Sequence, residues 1–276
     1  MEEKLDLENI KDIKRKENIH IPSKIQPDTL FTFCTKWEYL KSPIKSKRIS
    51  PRYCKEDIEY LNIPKLSKIA FPMKCFCDIN MHKLGEHLYW YGCYGIGLTK
   101  EWGMKNGVQP IQYINHSSPL KNDFKTAFSD ALEIKKDSQT KNEIQMKNYL
   151  LHQLMYFKPY SGEMENRNTG EKETKCFTDE CEWRYVPDVS KIGYKQIYYN
   201  ENIFNAGILN DLSISMEENP DISLKFEFDD LKYIIIKTKE DFEQIFKFIN
   251  EMDIEIEEKE LLLSKTLIWE LSGGDF

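Results

Sequence analysis

No stretch of this 276-residue chain approaches the roughly twenty consecutive apolar residues that cross a bilayer. Its opening, Met1 to Lys16, alternates charges and lacks the apolar segment of an export signal. Seven cysteines, an odd number with no such signal ahead of them, are therefore expected as reduced thiols in a cytoplasm. There is no internal repeat and no low-complexity tract, which excludes a repeat architecture. Catalytic signatures are equally sparse: Ser-His-Asp spacing, a nucleophile elbow and HExxH are all missing. No helix-turn-helix is visible, and a net charge of −7 disfavours adhesion to a nucleic acid backbone, so specific nucleic-acid binding is not expected.

What is present is globular. Hydrophobic residues make up 40% and charged residues 31%, and fifteen Phe, fifteen Tyr and five Trp supply aromatic mass for a large core. Charge is unevenly spread: Met1 to Ala70 carries fifteen Lys or Arg against eleven Asp or Glu, whereas Glu201 to Phe276 carries seven against nineteen. The acidic back could steer a basic partner, although two solvated faces explain the pattern as well.

Residues 1–28 form a charged leader, and the rest fits a single α+β domain with a central mixed or antiparallel sheet. Thr29 to Thr35, Ile69 to Asp78, Tyr94 to Thr99, Val108 to Ile114 and Cys181 to Pro187 have the β-branched and aromatic content of strands. Pro72 places the start of the second at a sheet edge. Helical spacing marks Met81 to Tyr91, Lys100 to Asn106, and two helices in Ser118 to Phe157 hinged at Asp137 to Thr140. A helix from Trp37 is expected to stop at Pro43, another covers Lys55 to Leu61, and Pro159 to Thr174 reads as a polar loop. Ile222 to Ile236 reads as a hairpin or strand pair, followed by a Thr238-capped helix burying Phe242, Ile245, Phe246 and Ile249: a C-terminal β-β-α element.

Candidate chemistry concentrates in few places. Cys75, Cys77, His82 and His87 invite a metal, but a structural zinc site takes four ligands with wider cysteine spacing, so buried thiols are expected and no metal. Tyr91-Gly-Cys-Tyr-Gly-Ile-Gly97 lacks the Lys-Ser or Lys-Thr ending of a phosphate loop. Glycines in a strand, Gly95 beside Tyr94 among them, instead indicate close approach of a ligand or tight packing. The sharpest cluster is Glu180, Glu182 and Arg184, which alternate with Cys181, Trp183 and Tyr185 and share one strand face. Such a face is a pocket wall, with Arg184 holding a carboxylate or an anion and a glutamate acting on a hydroxyl, or else an exposed face of surface ion pairs. Lys158 is a second candidate cation, and His87, followed by aromatics and glycines, is the histidine to watch.

Taken as a string, these residues resemble a family. Ile69-Ala-Phe-Pro-Met-Lys-Cys-Phe-Cys-Asp-Ile79, His87, Tyr91 to Leu98, Lys100-Glu-Trp-Gly103 and Pro110 to Ile114 are similar to the AbiGi abortive phage-resistance proteins. Thr32 to Thr35, Ser50 to Cys54, Glu182-Trp-Arg184, Leu224 to Phe226 and Tyr233 to Ile236 follow in the same order, so the resemblance spans about Phe31 to Ile249. It implies the antitoxin half of a two-gene abortive-infection system, with a toxin encoded nearby as protein partner. A second similarity is of fold: the strand at Thr32, the tyrosine- and glycine-bearing middle strand and the late Glu-x-Glu strand resemble the motif strands of ADP-ribosyltransferases. That likeness implies NAD as a nucleotide ligand, with Glu182 on the nicotinamide ribose. This chain has Thr32 where that fold commonly carries His or Arg, and Arg52 is the residue that could substitute.

Overall fold

The computed structural model of the chain describes residues 20–134, 140–166, 168–199, 204–217 and 219–272. In chain order the strands are β1 (Thr29–Cys34), β2 (Arg48–Ile49), β3 (Arg52–Asp57), β4 (Lys68–Cys77), β5 (Tyr94–Thr99), β6 (Gln109–Pro110), β7 (Gln112–Ile114), β8 (Phe157–Pro159), β9 (Ser161–Glu165), β10 (Lys172–Cys176), β11 (Glu182–Tyr185), β12 (Leu224–Lys225), β13 (Leu231–Ile236) and β14 (Thr266–Ile268). The helices are α1 (Glu38–Ser46), α2 (Leu84–Tyr91), α3 (Lys100–Lys105), α4 (Pro119–Glu133), α5 (Lys141–Met155), α6 (Ala206–Glu217), α7 (Lys239–Asn250), α8 (Ile256–Ser264) and α9 (Trp269–Ser272). The main sheet runs β14-β13-β5-β1-β4-β11-β6, with β3 added on β4. Its pairs are antiparallel except β13 with β14, whose parallel pairing spans a crossover through α7 and α8. The chain is therefore α+β with a central mixed sheet.

Alternation along the strands builds two faces. Leu30, Ile96, Leu98, Ile234 and Ile236 turn to one, where they pack with Trp102, Ile245, Ile249 and Leu262 of α3, α7 and α8. Phe31, Cys77 and Ile235 turn to the other and meet Leu84 and Leu88 of α2. A further core forms where Ile69, Phe71 and Met73 of β4 lie under Phe124 and Phe128 of α4 and Leu150, Leu154 and Met155 of α5.

β4 is shared by three strands, and this creates a split. Its Lys68–Met73 half pairs with β3, its Lys74–Cys77 half pairs with β11, and β1 meets it only through Phe31 opposite Cys77. Ala70 exchanges both backbone hydrogen bonds with Tyr198, and the Asp78 N–H donates to the Cys181 carbonyl. Even-numbered residues of β4 thus direct their backbone groups toward β11, and odd-numbered residues direct theirs toward β1 and β3. β1 and β3 therefore flank the same edge of β4 with a gap between them.

Several expectations change. Pro72 lies inside the sheet, not at its edge, because its missing N–H falls on the even side and the β3 ladder opposite loses nothing. α1 runs through Pro43 to Ser46, held by the burial of Leu40 and Ile44. Lys55 to Asp57 belong to β3, leaving a short 3-10 turn at Glu59–Leu61. The expected polar loop is largely the β9–β10 hairpin, with Lys175 paired opposite Gly162. β12 and β13 do not form a hairpin: β12 pairs with β2, and β13 with β5 and β14. Phe246 is 47% exposed, while Ile245 and Ile249 are buried. Most of the charged leader and residues 137–139 of the expected hinge lie outside the described residues, while Thr140 caps α5.

Candidate functional site

Glu182 and Arg184 owe their position to the alternation of β11. Trp183 and Tyr185 pack against the α3/α7/α8 core, so the charged pair is sent to the opposite face. There both are buried, with Glu182 6% and Arg184 1% exposed. Glu180 is not on the strand; it closes a short 3-10 turn, and Cys181 (φ 41°) redirects the chain into β11. The three charges still converge, because Lys158 of β8 bridges them.

The result is a buried ion network. Lys158 Nζ lies 2.5 Å from Glu180 and 2.7 Å from Glu182. Arg184 Nε donates to Glu182 Oε1 at 2.6 Å, one terminal nitrogen to Glu56 at 2.8 Å, and the other to the Met155 carbonyl at 2.8 Å. That last contact places a cation at the carboxyl end of α5, where unsatisfied carbonyls favour it. Lys175 reaches Glu180 Oε1 at 2.8 Å, and the Tyr91 hydroxyl donates to the same oxygen. Three carboxylates (Glu56, Glu180, Glu182) face three cations (Lys158, Lys175, Arg184), so the network is neutral as a whole.

Its protonation follows from this arrangement. Burial alone would raise the Glu182 carboxyl, but Arg184 and Lys158 together outweigh it and hold the group well below the usual carboxylate range. Glu180 is held low in the same way, with Lys158 leading against burial. Burial opposes the charge on Lys158 too, yet two carboxylates push its ammonium up. Lys175 goes the other way: burial lowers it, and Glu180 does not fully compensate beside the like charge of Lys158. Burial also drives the Tyr91 hydroxyl up and His87 down to about 4, so both are neutral near pH 7.

The network floors a cleft of about 770 Å³ that opens at the split in the sheet. Thr32 of β1, Arg52 of β3, His87 and Tyr91 of α2, and Lys158, Glu180 and Glu182 all line it. His87 lies between Phe33 and Tyr91, with ring centroids 5.4 and 4.5 Å away, giving the cleft one aromatic wall. Arg184 stands behind Glu182 and is not part of the lining. The Arg52 guanidinium is turned to α6, bonding Asn210 at 2.5 Å and Glu217 at 3.2 Å.

Tyr94 and Gly95, expected beside a ligand, lie elsewhere. Tyr94 faces the α7 side of the sheet and donates to Asp241 at 3.1 Å. Gly95 is needed for packing: a Cβ there would stand 2.4 Å from the Phe33 ring and 2.7 Å from the Thr32 carbonyl oxygen. Sequence reasoning missed Glu56, Lys175 and Tyr60. The Tyr60 ring lines the cleft, and its buried hydroxyl has no hydrogen-bond partner among the described residues. Only the alternation of Lys172–Cys176 could have flagged Lys175 as inward-facing. Among the described residues no three His, Cys, Asp or Glu side chains converge as metal ligands, and no helix is long and apolar enough to cross a membrane.

The fold and the site define an α+β protein with a split mixed sheet and a charged cleft. The chain belongs to the AbiGi family of abortive phage-resistance proteins. The family model described as "Putative abortive phage resistance protein AbiGi, antitoxin" matches residues 47–237. A relative from Lactococcus lactis subsp. cremoris, "Abortive phage resistance protein AbiGi", is 32% identical over 242 residues, covering 80% of this chain and 96% of its own. No solved structure matches the chain. The matched segment includes every charge of the network; Thr32 lies ahead of it.

Proposed function

We propose that this protein acts in abortive phage resistance as an antitoxin-type component that binds and restrains a toxin protein encoded nearby. The observation that carries this reading is the state of the carboxylates. A general base works best with a pKa near the working pH, whereas Glu180 and Glu182 are held ionised with every oxygen committed to a cation or a hydroxyl. Such a cleft is built to hold a shape and not to move a proton. The acidic balance of Glu201 to Phe276 favours a basic partner. The test is co-expression of the tagged chain with its neighbouring gene product. Co-elution through size exclusion and relief of growth arrest are expected; a neighbour that neither co-elutes nor is relieved rules the reading out.

The cleft itself favours a second reading, an ADP-ribosyltransferase-like effector that uses NAD. Thr32, Arg52, His87, Tyr91, Lys158, Glu180 and Glu182, drawn from distant parts of the chain, line one hollow beside an aromatic wall. In this reading Glu182 accepts a hydrogen bond from a ribose hydroxyl. Glu182→Ala is a poor probe because it strands the buried Arg184; Glu182→Gln keeps the shape and removes the charge. NAD turnover by the wild type that Glu182→Gln abolishes supports the enzyme, and unchanged activity in the folded variant ends it.

A further inference from the structure

Away from the cleft, α7 and α8 carry exposed apolar side chains inside a rim of one charge. α7 buries Ile245 and Ile249 against the sheet, and its flank continues outward. Phe242 is half-buried on that core. One turn further, Phe246 is 47% exposed, its ring centroid 6.3 Å from that of Phe242. Past the short turn at 251–255, the first residue of α8, Ile256, is 58% exposed. A lone exposed apolar residue is ordinary, but these two flank a single turn. The charge around them is one-sided: from Glu243 to Glu260 the chain has seven carboxylates against two lysines. Lys247 pairs with Glu251, and Lys259 Nζ donates to the Asn250 carbonyl. Glu243, Asp253, Glu255, Glu257 and Glu260 are exposed and have no ion-pair partner among the described residues. A surface built only for solubility intersperses both signs, whereas apolar anchors within a charged rim are the anatomy of a protein interface.

We propose that this α7–α8 surface docks a basic segment of the partner toxin, with an apolar side chain seated at Phe246 and Ile256 and lysines or arginines meeting the carboxylates around them. Charge complementarity selects this occupant. The rim repels the phosphates of a nucleic acid or an anionic lipid surface, and a second copy would set the same carboxylates against themselves. The surface lies on the α7 side of the sheet, whereas Glu182 lines the cleft on the other, so docking leaves the cleft open. This inference rests on the antitoxin reading and names the surface through which the toxin is held.

The test titrates the purified product of the neighbouring gene into the full chain by calorimetry, at about 0.05 M and about 0.5 M salt. Phe246→Ala and Ile256→Ala should each weaken binding about tenfold or more. The double variant Glu243→Lys, Glu260→Lys should weaken it about tenfold at the lower salt and far less at the higher. All three should keep the wild-type melting temperature, because the changed side chains are exposed. If Phe246→Ala melts earlier, Ile256→Ala and the charge variant, neither of which alters a core residue, decide the outcome. Binding unchanged in these variants overturns the inference and leaves the antitoxin reading standing on another surface. A neighbour that does not bind the wild type ends both. A wild-type dimer that Phe246→Ala dissociates, read by light scattering, gives the surface to a second copy and overturns the inference as well.

Discussion

At the scale of single residues, the cleft combines one group kept neutral with several kept charged. Burial lowers His87 from an ordinary 6.5 to about 4. Between these values the unfolded chain binds a proton that the folded chain refuses, so stability is complete above pH 6.5 and falls as the pH drops toward 4. The loss is up to about 3 kcal/mol. Urea midpoints for wild type and His87→Phe between pH 7 and 4.5 should diverge accordingly, with the variant flatter. Glu180 and Glu182 act in a lower window: their depressed values stabilise the fold above the ordinary carboxylate range and that support is lost below it. Lys158→Ala leaves both carboxylates buried short of a cation and should cost about 3–5 kcal/mol by urea denaturation. Tyr60→Phe removes a hydroxyl without a partner among the described residues, so the same measurement should show it neutral or more stable by about 1 kcal/mol.

At the scale of elements, strands and helices form where local rules are strong. α7 starts at Thr238 because a capping box with Asp241 satisfies its first amides, as the Thr-x-x-Asp spacing implies. β5 carries glycines because the aromatic rings of β1 lie across it. Gly95→Ala should push Phe33 out of place at a cost of about 1–3 kcal/mol, and since Phe33 also walls the cleft, ligand binding should weaken in parallel. Thermal melts with and without NAD read both effects. Elements defined by weak local signals were harder to read. The β9–β10 hairpin is polar and lacks an apolar alternation, because it covers the cleft with charged and small residues instead of entering a core. α1 outlasts Pro43 because its buried residues, Leu40 and Ile44, straddle the proline.

At the scale of the whole molecule, β4 is the shared member. One end contributes Phe76 to the core under α3 and α7, and the other contributes Ile69, Phe71 and Met73 to the core under α4 and α5. A chain with one strand common to both cores is expected to unfold as one unit. Tryptophan fluorescence and far-ultraviolet circular dichroism should then report coincident urea transitions, and separated midpoints would divide residues 29–276 into two units.

The amino-acid order alone determined which face each side chain of β11 takes, since a strand permits only two directions and Trp183 and Tyr185 claim the apolar one. It likewise determined the cap of α7, because that depends on neighbours a few residues away. Tertiary structure alone decided that Lys158, Lys175 and Glu56 join Glu180, Glu182 and Arg184 in one network, and that Tyr94 and Gly95 stand apart from the cleft. Alternation assigns a face but not the residue across from it, and the partners here come from separate elements, up to 128 positions apart for Glu56 and Arg184, brought together only when β1, β3 and β11 share the edges of β4.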